Sequence, residues 1–149
     1  MTSTELPAQL AEIREDFLAL EQSDRLQLLL EFSNELPALP ERYQDHPDLF
    51  ERVVECQSPV FIVVEVDQDR AVHLHATAPA ESPTTRGFAS ILAQGLDGLS
   101  IEEVLAVPDD FPQTIGLTQA VSPLRLRGMT AMLGRTKRQL RERAAALTA

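Results

Sequence analysis

The sequence predicts an α+β domain, with helices at both ends of the chain packed on a small antiparallel sheet of about three strands. Three observations carry this. Residues 5–36 show helical hydrophobic spacing, Val60–Val66 is almost continuous β-branched and aromatic sequence, and the chain returns to helical spacing after residue 84. At 149 residues and 44% hydrophobic content the chain suits one domain over 1–149. Its helical N-terminal part covers about 5–36, its sheet about 51–77 and its helical C-terminal part about 84–147.

Leu6, Leu10, Ile13, Phe17 and Leu20 recur every three or four positions, the stripe of an amphipathic helix. Ser23 can cap a second helix carrying Leu26, Leu29, Leu30 and Ser33 on one face. Pro37, Pro40 and Pro47 then fix an extended, stiff connection. Arg52-Val53-Val54 reads as a short strand, Pro59–Val66 as a second, and Arg70–Thr77 as its returning partner across an Asp67-Gln68-Asp69 turn. A hairpin alone is marginal in water, so helices must cover one sheet face. Ser82-Pro83 opens a helix with Phe88, Ile91 and Leu92 that stops near Gly95–Gly98. Ser100-Ile101-Glu102-Glu103 is a capping box for a short helix before Pro108. Ser122-Pro123 opens the last helix, with Leu126, Met129, Leu133, Leu140 and Leu147 at helical spacing.

Charge narrows the partners. The net charge of −10 argues against general nucleic-acid binding. Up to Pro112 there are 6 basic and 22 acidic residues, whereas from Gln113 onward there are 7 basic residues, all Arg except Lys137, and 1 acidic residue. The final helix can be a docking face, or a solvated helix whose arginines pair with the acidic body. No apolar run approaches the ~20 residues of a membrane span, and Met1–Leu10 holds Glu5 and no basic residue, unlike a secretory leader. A cytoplasmic protein with no membrane partner is the expectation.

Cys56 is the single cysteine, which excludes an intramolecular disulfide, a Cys-rich zinc site and an iron–sulfur cluster held by this chain's thiols alone. Its neighbours Glu55, Gln57, Ser58 and Pro59 are turn residues, which predicts a thiol at a loop tip within reach of another protein. Glu55 should raise the thiol pKa by repelling the thiolate, and an arginine brought close, with Arg125 the candidate, should lower it. His73 and His75 share one strand face and could be two metal ligands, with His46 or a carboxylate as a third, or could be polar residues on a solvent-facing strand. No oxyanion-hole signature surrounds Cys56, and the six glycines form no phosphate loop. The pairs Glu102-Glu103 and Asp109-Asp110 read as helix N-terminal and loop charges.

From about Leu26 to Leu133 the chain resembles the SufE family of sulfur acceptors. The centre of the resemblance is Arg52-Val53-Val54-Glu55-Cys56-Gln57-Ser58-Pro59-Val60-Phe61, beside the family's valine, Gly-Cys-Gln-Ser core and Val-Trp. Leu39-Pro40-Glu41-Arg42-Tyr43 upstream, Arg86-Gly87 before an apolar helix, Leu117-Thr118, and Ser122-Pro123-Leu124-Arg125-Leu126-Arg127-Gly128-Met129 are similar to further family segments in the same order. Glu55 stands where the family has glycine, and Phe61 where it has tryptophan. Glu81-Ser82-Pro83 lies in a longer loop where an Asp-Ala pair is common.

The resemblance implies a SufE/IscU-like α+β fold and a sulfur carrier. Cys56 would take persulfide sulfur from a SufS-type cysteine desulfurase and pass it to a SufBCD-type iron–sulfur scaffold. Gln57 and Ser58 would shape the loop, and Arg125 would favour thiolate or contact the desulfurase. The family also hides its cysteine against an apolar pocket until docking. No cofactor or metal is expected on this chain, because pyridoxal phosphate belongs to the desulfurase. The chain would be an accessory sulfurtransferase-type protein that activates its partner, not an independent enzyme. Three alternatives stay open: a thiol-based redox sensor, a non-catalytic adaptor, and a carrier for another client pathway such as tRNA thiolation or molybdenum-cofactor synthesis.

Overall fold

A computed structural model describes residues 6–148. The Met1–Glu5 part of the leader reading therefore lies outside the described residues. Helices α1 (Ala8–Ala19) and α2 (Gln22–Asn34) come first, followed by strands β1 (Glu51–Arg52), β2 (Phe61–Val66) and β3 (Val72–Thr77). Helices α3 (Pro83–Gly95), α4 (Ile101–Leu105) and α5 (Pro123–Thr148) complete the chain. The sheet is antiparallel in the order β1-β2-β3, so the architecture is α+β, as its sequence pattern predicts.

The hairpin turns at Asp67, whose Oδ1 accepts from the backbone N–H groups of Asp69 and Ala71 at 2.8 and 2.9 Å. Arg70 takes the left-handed conformation that closes this turn, at φ 64°. The register pairs Ile62 with Ala76, Val64 with Leu74 and Val66 with Val72, so these six side chains share one sheet face. That face meets Phe88, Ile91 and Leu92 of α3 within the hydrophobic core, to which Met129, Leu133 and Leu140 of α5 also contribute. The opposite face is not simply open to water. The proline-bearing segment folds over it in two single 3₁₀ turns, Glu41–Tyr43 and Pro47–Leu49, and sets the Tyr43 ring 5.0 Å from His75.

Local details depart from expectation in instructive ways. Helix α2 starts one residue before Ser23, with Glu21 as N-cap and no side-chain cap bond, and it buries Leu29, Phe32 and Ser33 while Leu26 stays exposed. Its inward stripe is thus rotated from the one drawn through Leu26 and Leu30. The Ser100 capping box forms as expected, with Ser100 Oγ accepting from Glu103 N–H and Glu103 Oε1 from Ser100 N–H. Leu147 is 47% exposed, so the apolar stripe of α5 ends short of it, at the half-buried Ala144.

Helix α5 does more than cover the sheet. Strand β1 pairs with Phe61 and Ile62, and among the described residues the next stretch of the β2 edge has no partner strand. Side chains from α5 take over there: Gln139 Oε1 accepts from Val64 N–H at 2.8 Å, and Arg143 Nε donates to Val64 C=O at 3.1 Å. Gln139→Leu leaves a buried N–H without an acceptor and is expected to cost about 1–3 kcal/mol, read as a lowered urea midpoint at constant m. A midpoint within error of wild type would contradict this account of the edge.

Three of the seven basic residues of α5, Arg135, Lys137 and Arg138, follow the pairing alternative. Lys137 is almost fully buried, and its ammonium donates to Val107 C=O and, at 2.8 Å, to Asp109 Oδ1. Arg138 bonds Glu51 and Glu142.

Candidate functional site

The cysteine lies in the loop 53–60 that joins β1 to β2. Val53 N–H donates to Val60 C=O at 2.9 Å and closes the base of the loop, and both valines are fully buried. Cys56 N–H donates to Val53 C=O at 3.0 Å, folding the chain back on itself. Side chains therefore alternate in direction around the loop. Val53, Cys56 and Val60 point in, while Val54, Glu55, Gln57 and Pro59 point out. Polar neighbours place the cysteine in a loop, as expected, but the expectation of a reachable thiol is corrected. Cys56 is only 6% exposed and belongs to the hydrophobic core cluster.

Two helices, α3 and α5, converge on the thiol. Gly128, in the second turn of α5, faces it so closely that a Cβ there would stand 3.0 Å from Cys56 Sγ and 3.6 Å from Glu55 C=O. From the start of α3 come Ser82 and Thr84, and from the first turn of α5 comes Arg125. Together with Ser58 these residues line a cavity of about 60 Å³ at the thiol. Ser82 is the N-cap residue of α3, yet its hydroxyl does not cap the helix and instead bonds Ser58 Oγ, tying the cysteine loop to the α3 entry. Arg125 Nη1 donates to Thr84 Oγ1 at 3.1 Å, and Ser122 Oγ accepts from Arg125 N–H at 3.2 Å. Val54, beside the loop's outer face, is 65% exposed.

The electrostatics also correct the expectation for Arg125. Burial pushes the Cys56 thiol up to about 11, the Glu55 carboxylate adds to the rise, and the charge that opposes them is Arg135, not Arg125. Glu55 is itself engaged: Arg135 Nε and Nη2 donate to its two carboxylate oxygens at 2.8 and 3.1 Å, while Arg135 Nη1 bonds Glu51. The Arg135 hydrogen bonds hold the Glu55 carboxyl below the usual carboxylate range. At Glu51 burial alone would raise the pKa, but hydrogen bonds from Gln139, Arg135 and Arg138 outweigh it. Among the described residues the non-glycines with positive φ are Asp45 and Arg70, so glutamate at position 55 needs no glycine-like backbone.

Of the sequence-predicted residues, Cys56, Ser58 and Arg125 meet at one cavity, and Gln57 lines it while remaining largely exposed. Sequence reasoning missed Arg135 and the roles of Ser82, Thr84 and Gly128. The histidines lie elsewhere. His73 bridges two carboxylates, with Nδ1 2.7 Å from Asp97 Oδ1 and Nε2 2.7 Å from Asp67 Oδ2, and Asp97 followed by Asp67 raises its pKa. His75 lies 3.1 Å from Glu65 Oε1. No histidine lines the Cys56 cavity, and among the described residues no three His, Cys, Asp or Glu side chains are grouped to hold a metal. Among those residues, too, no helix is long and apolar enough to cross a membrane.

Comparison with known proteins agrees with this fold. The family model described as SufE, the Fe-S metabolism associated domain, matches residues 11–140. An uncharacterised SufE-like protein of Mycobacterium tuberculosis is 56% identical over 137 residues, covering 92% of this chain and 94% of the relative. The SufE-like protein 1, chloroplastic/mitochondrial, of Arabidopsis thaliana is 30% identical over 130 residues, covering 87% of this chain and 34% of that longer protein. The solution structure of a hypothetical protein from Thermus thermophilus superposes with a TM-score of 0.82 at 39% identity, covering 97% of this chain and 100% of the other. A single thiol on a strand-tethered loop, the α+β frame that holds it and these likenesses lead to one assignment: the chain belongs to the SufE family, whose domain is associated with iron–sulfur metabolism.

Proposed function

We propose that Cys56 is a sulfur acceptor, loaded from the persulfide of a SufS-type cysteine desulfurase and unloaded to a SufBCD-type iron–sulfur scaffold. The observation that carries this reading is the placement of the chain's only thiol beside a small polar cavity, on a loop flanked by the exposed Val54. The Cys56 thiolate attacks the outer sulfur of the desulfurase persulfide. A new S–S bond forms at Cys56, the desulfurase S–S bond breaks, and the desulfurase cysteine leaves as thiolate, with no net oxidation or reduction.

The cavity suits the loaded state. Its volume of about 60 Å³ exceeds the ~10–15 Å³ that admits one water-sized group, so one added sulfur fits without moving the walls. The hydroxyls of Ser58, Ser82 and Thr84 and the Arg125 guanidinium supply donors toward an anionic persulfide. The chemistry needs no cofactor on this chain. With its pKa at about 11 the enclosed thiol is almost entirely protonated at neutral pH, so acceptance requires the loop to swing Cys56 outward when the partner docks.

Incubation with a cysteine desulfurase, its pyridoxal phosphate and free cysteine, without reductant, should add the mass of one sulfur atom to the Cys56 peptide. Cys56→Ser should abolish the gain while keeping the far-UV circular dichroism of the wild type. No gain with several desulfurases, on a protein whose Cys56 still alkylates once unfolded, would overturn the acceptor reading. So would sulfur loading retained in Cys56→Ser.

A further inference from the structure

We propose that Arg135 is a positioning residue that latches the cysteine loop shut, gripping Glu55 next to Cys56 with two hydrogen bonds while its third nitrogen anchors on Glu51 at the foot of the loop. The geometry is that of a clamp. Glu51 lies in β1, and it is held independently by Gln139 Nε2 at 2.9 Å and by Arg138, so the anchor stays fixed when Arg135 lets go of the loop. Glu55 has its hydrogen bonds to Arg135 alone among the side chains named at the loop, and it precedes the thiol by one residue. Swinging Cys56 out of its pocket therefore pulls the Glu55 carboxylate away from the Arg135 fork. The side chains of Arg135 and Glu55 are 25% and 37% exposed, which places the pair where salt still reaches it.

The latch matters to sulfur transfer only if the acceptor reading above holds. Its existence does not depend on that reading, and it is tested without a desulfurase. The readout is the alkylation rate of Cys56 by iodoacetamide, a small neutral reagent. Charge alone and the latch make opposite predictions. Arg135 is the cation that favours the thiolate, so removing it by charge alone slows alkylation at fixed pH. Loss of a latch speeds it by letting the loop open. We expect Arg135→Gln to alkylate about twofold to fivefold faster than wild type, the range for a partly exposed ion pair.

Arg135→Lys keeps the charge and loses the fork, so it too should react faster, whereas charge alone predicts no change. Raising salt from low to high ionic strength should speed the wild type more than Arg135→Gln, in which only the Glu55–thiolate repulsion is left to screen. The acceleration should also be nearly flat in low urea, because a loop opening exposes little surface; a steep rise would mean that Arg135→Gln merely weakens the whole fold. Arg135→Gln and Arg135→Lys both reacting at or below the wild-type rate would overturn the latch. So would an acceleration that rises steeply with urea. A desulfurase that fails to load the wild type would instead overturn the acceptor reading and leave this result standing.

Discussion

At pH 7.5 the native protein is expected to react with iodoacetamide at Cys56 at least about a hundredfold more slowly than the same chain unfolded in guanidinium. Two effects act in the same direction. Alkylation consumes thiolate, and raising the thiol from its ordinary value to about 11 removes roughly two orders of magnitude of that species. Steric exclusion adds to this, because Gly128 of α5 stands against Sγ and leaves 6% of the residue in contact with solvent. The rate should keep climbing with pH past about 9, since a thiol whose native pKa is raised gains its charged form only as the pH approaches the raised value. A native rate within a few-fold of the unfolded rate would mean that the closed loop is a minor conformer, and the protection offered to a bound persulfide would go with it.

This protection is the part of the site that the sequence hides best. Glu55, Gln57, Ser58 and Pro59 are correctly read as loop residues, but their polarity reports where their own side chains go. Cys56 points the other way, between the buried Val53 and Val60, and that direction depends on the Val53–Val60 backbone bond that closes the loop. The charge partner is hidden for a different reason. Seven basic residues follow Gln113 and most of the acidic ones precede it, so pairing between the ends is legible, but not which arginine meets which carboxylate. Arg135 and Glu55 are 80 residues apart, and only the packing of α5 across β1 and β2 brings them together.

The fold was more legible because its signals are local. The hairpin is announced by an apolar run, an aspartate turn and a returning strand, and the capping box of α4 is written in four consecutive residues. Errors arise where a neighbour outside the window decides. The inward face of α2 is chosen by α3, so Phe32 is buried and Leu26 is not. Ser82 has the residue type and position of a helix cap, yet Ser58 takes its hydroxyl. His73 and His75 alternate with Val72, Leu74 and Ala76 as a solvent face would, but the 37–50 segment returns over that face and brings Tyr43 onto His75.

Gly87→Ala and Gly134→Ala should shift stability in opposite directions, although both replace a helical glycine. Alanine gains about 1 kcal/mol over glycine in a helix interior, largely because glycine loses more backbone freedom on folding. Gly134 lies on the exposed side of α5, and a Cβ there meets nothing within 4 Å, so most of that gain should appear as added stability. At Gly87 the same methyl would sit against the Leu29 carbonyl oxygen and 2.8 Å from Leu29 Cδ1, closer than packed atoms allow. Helices α2 and α3 must then separate, at an overpacking cost of about 3 kcal/mol that outweighs the helix term and leaves a net loss of about 2 kcal/mol. For a domain of this size, that loss lowers the urea midpoint by roughly 1 M. The consequence reaches the site, because Arg86 beside Gly87 ties α3 to the Ser33 and Ala78 carbonyls, and the same helix delivers Ser82 and Thr84 to the cysteine cavity. If Gly87→Ala proved as stable as wild type, the close α2–α3 approach could not be what fixes the α3 entry, and the wall of the Cys56 cavity would need another support.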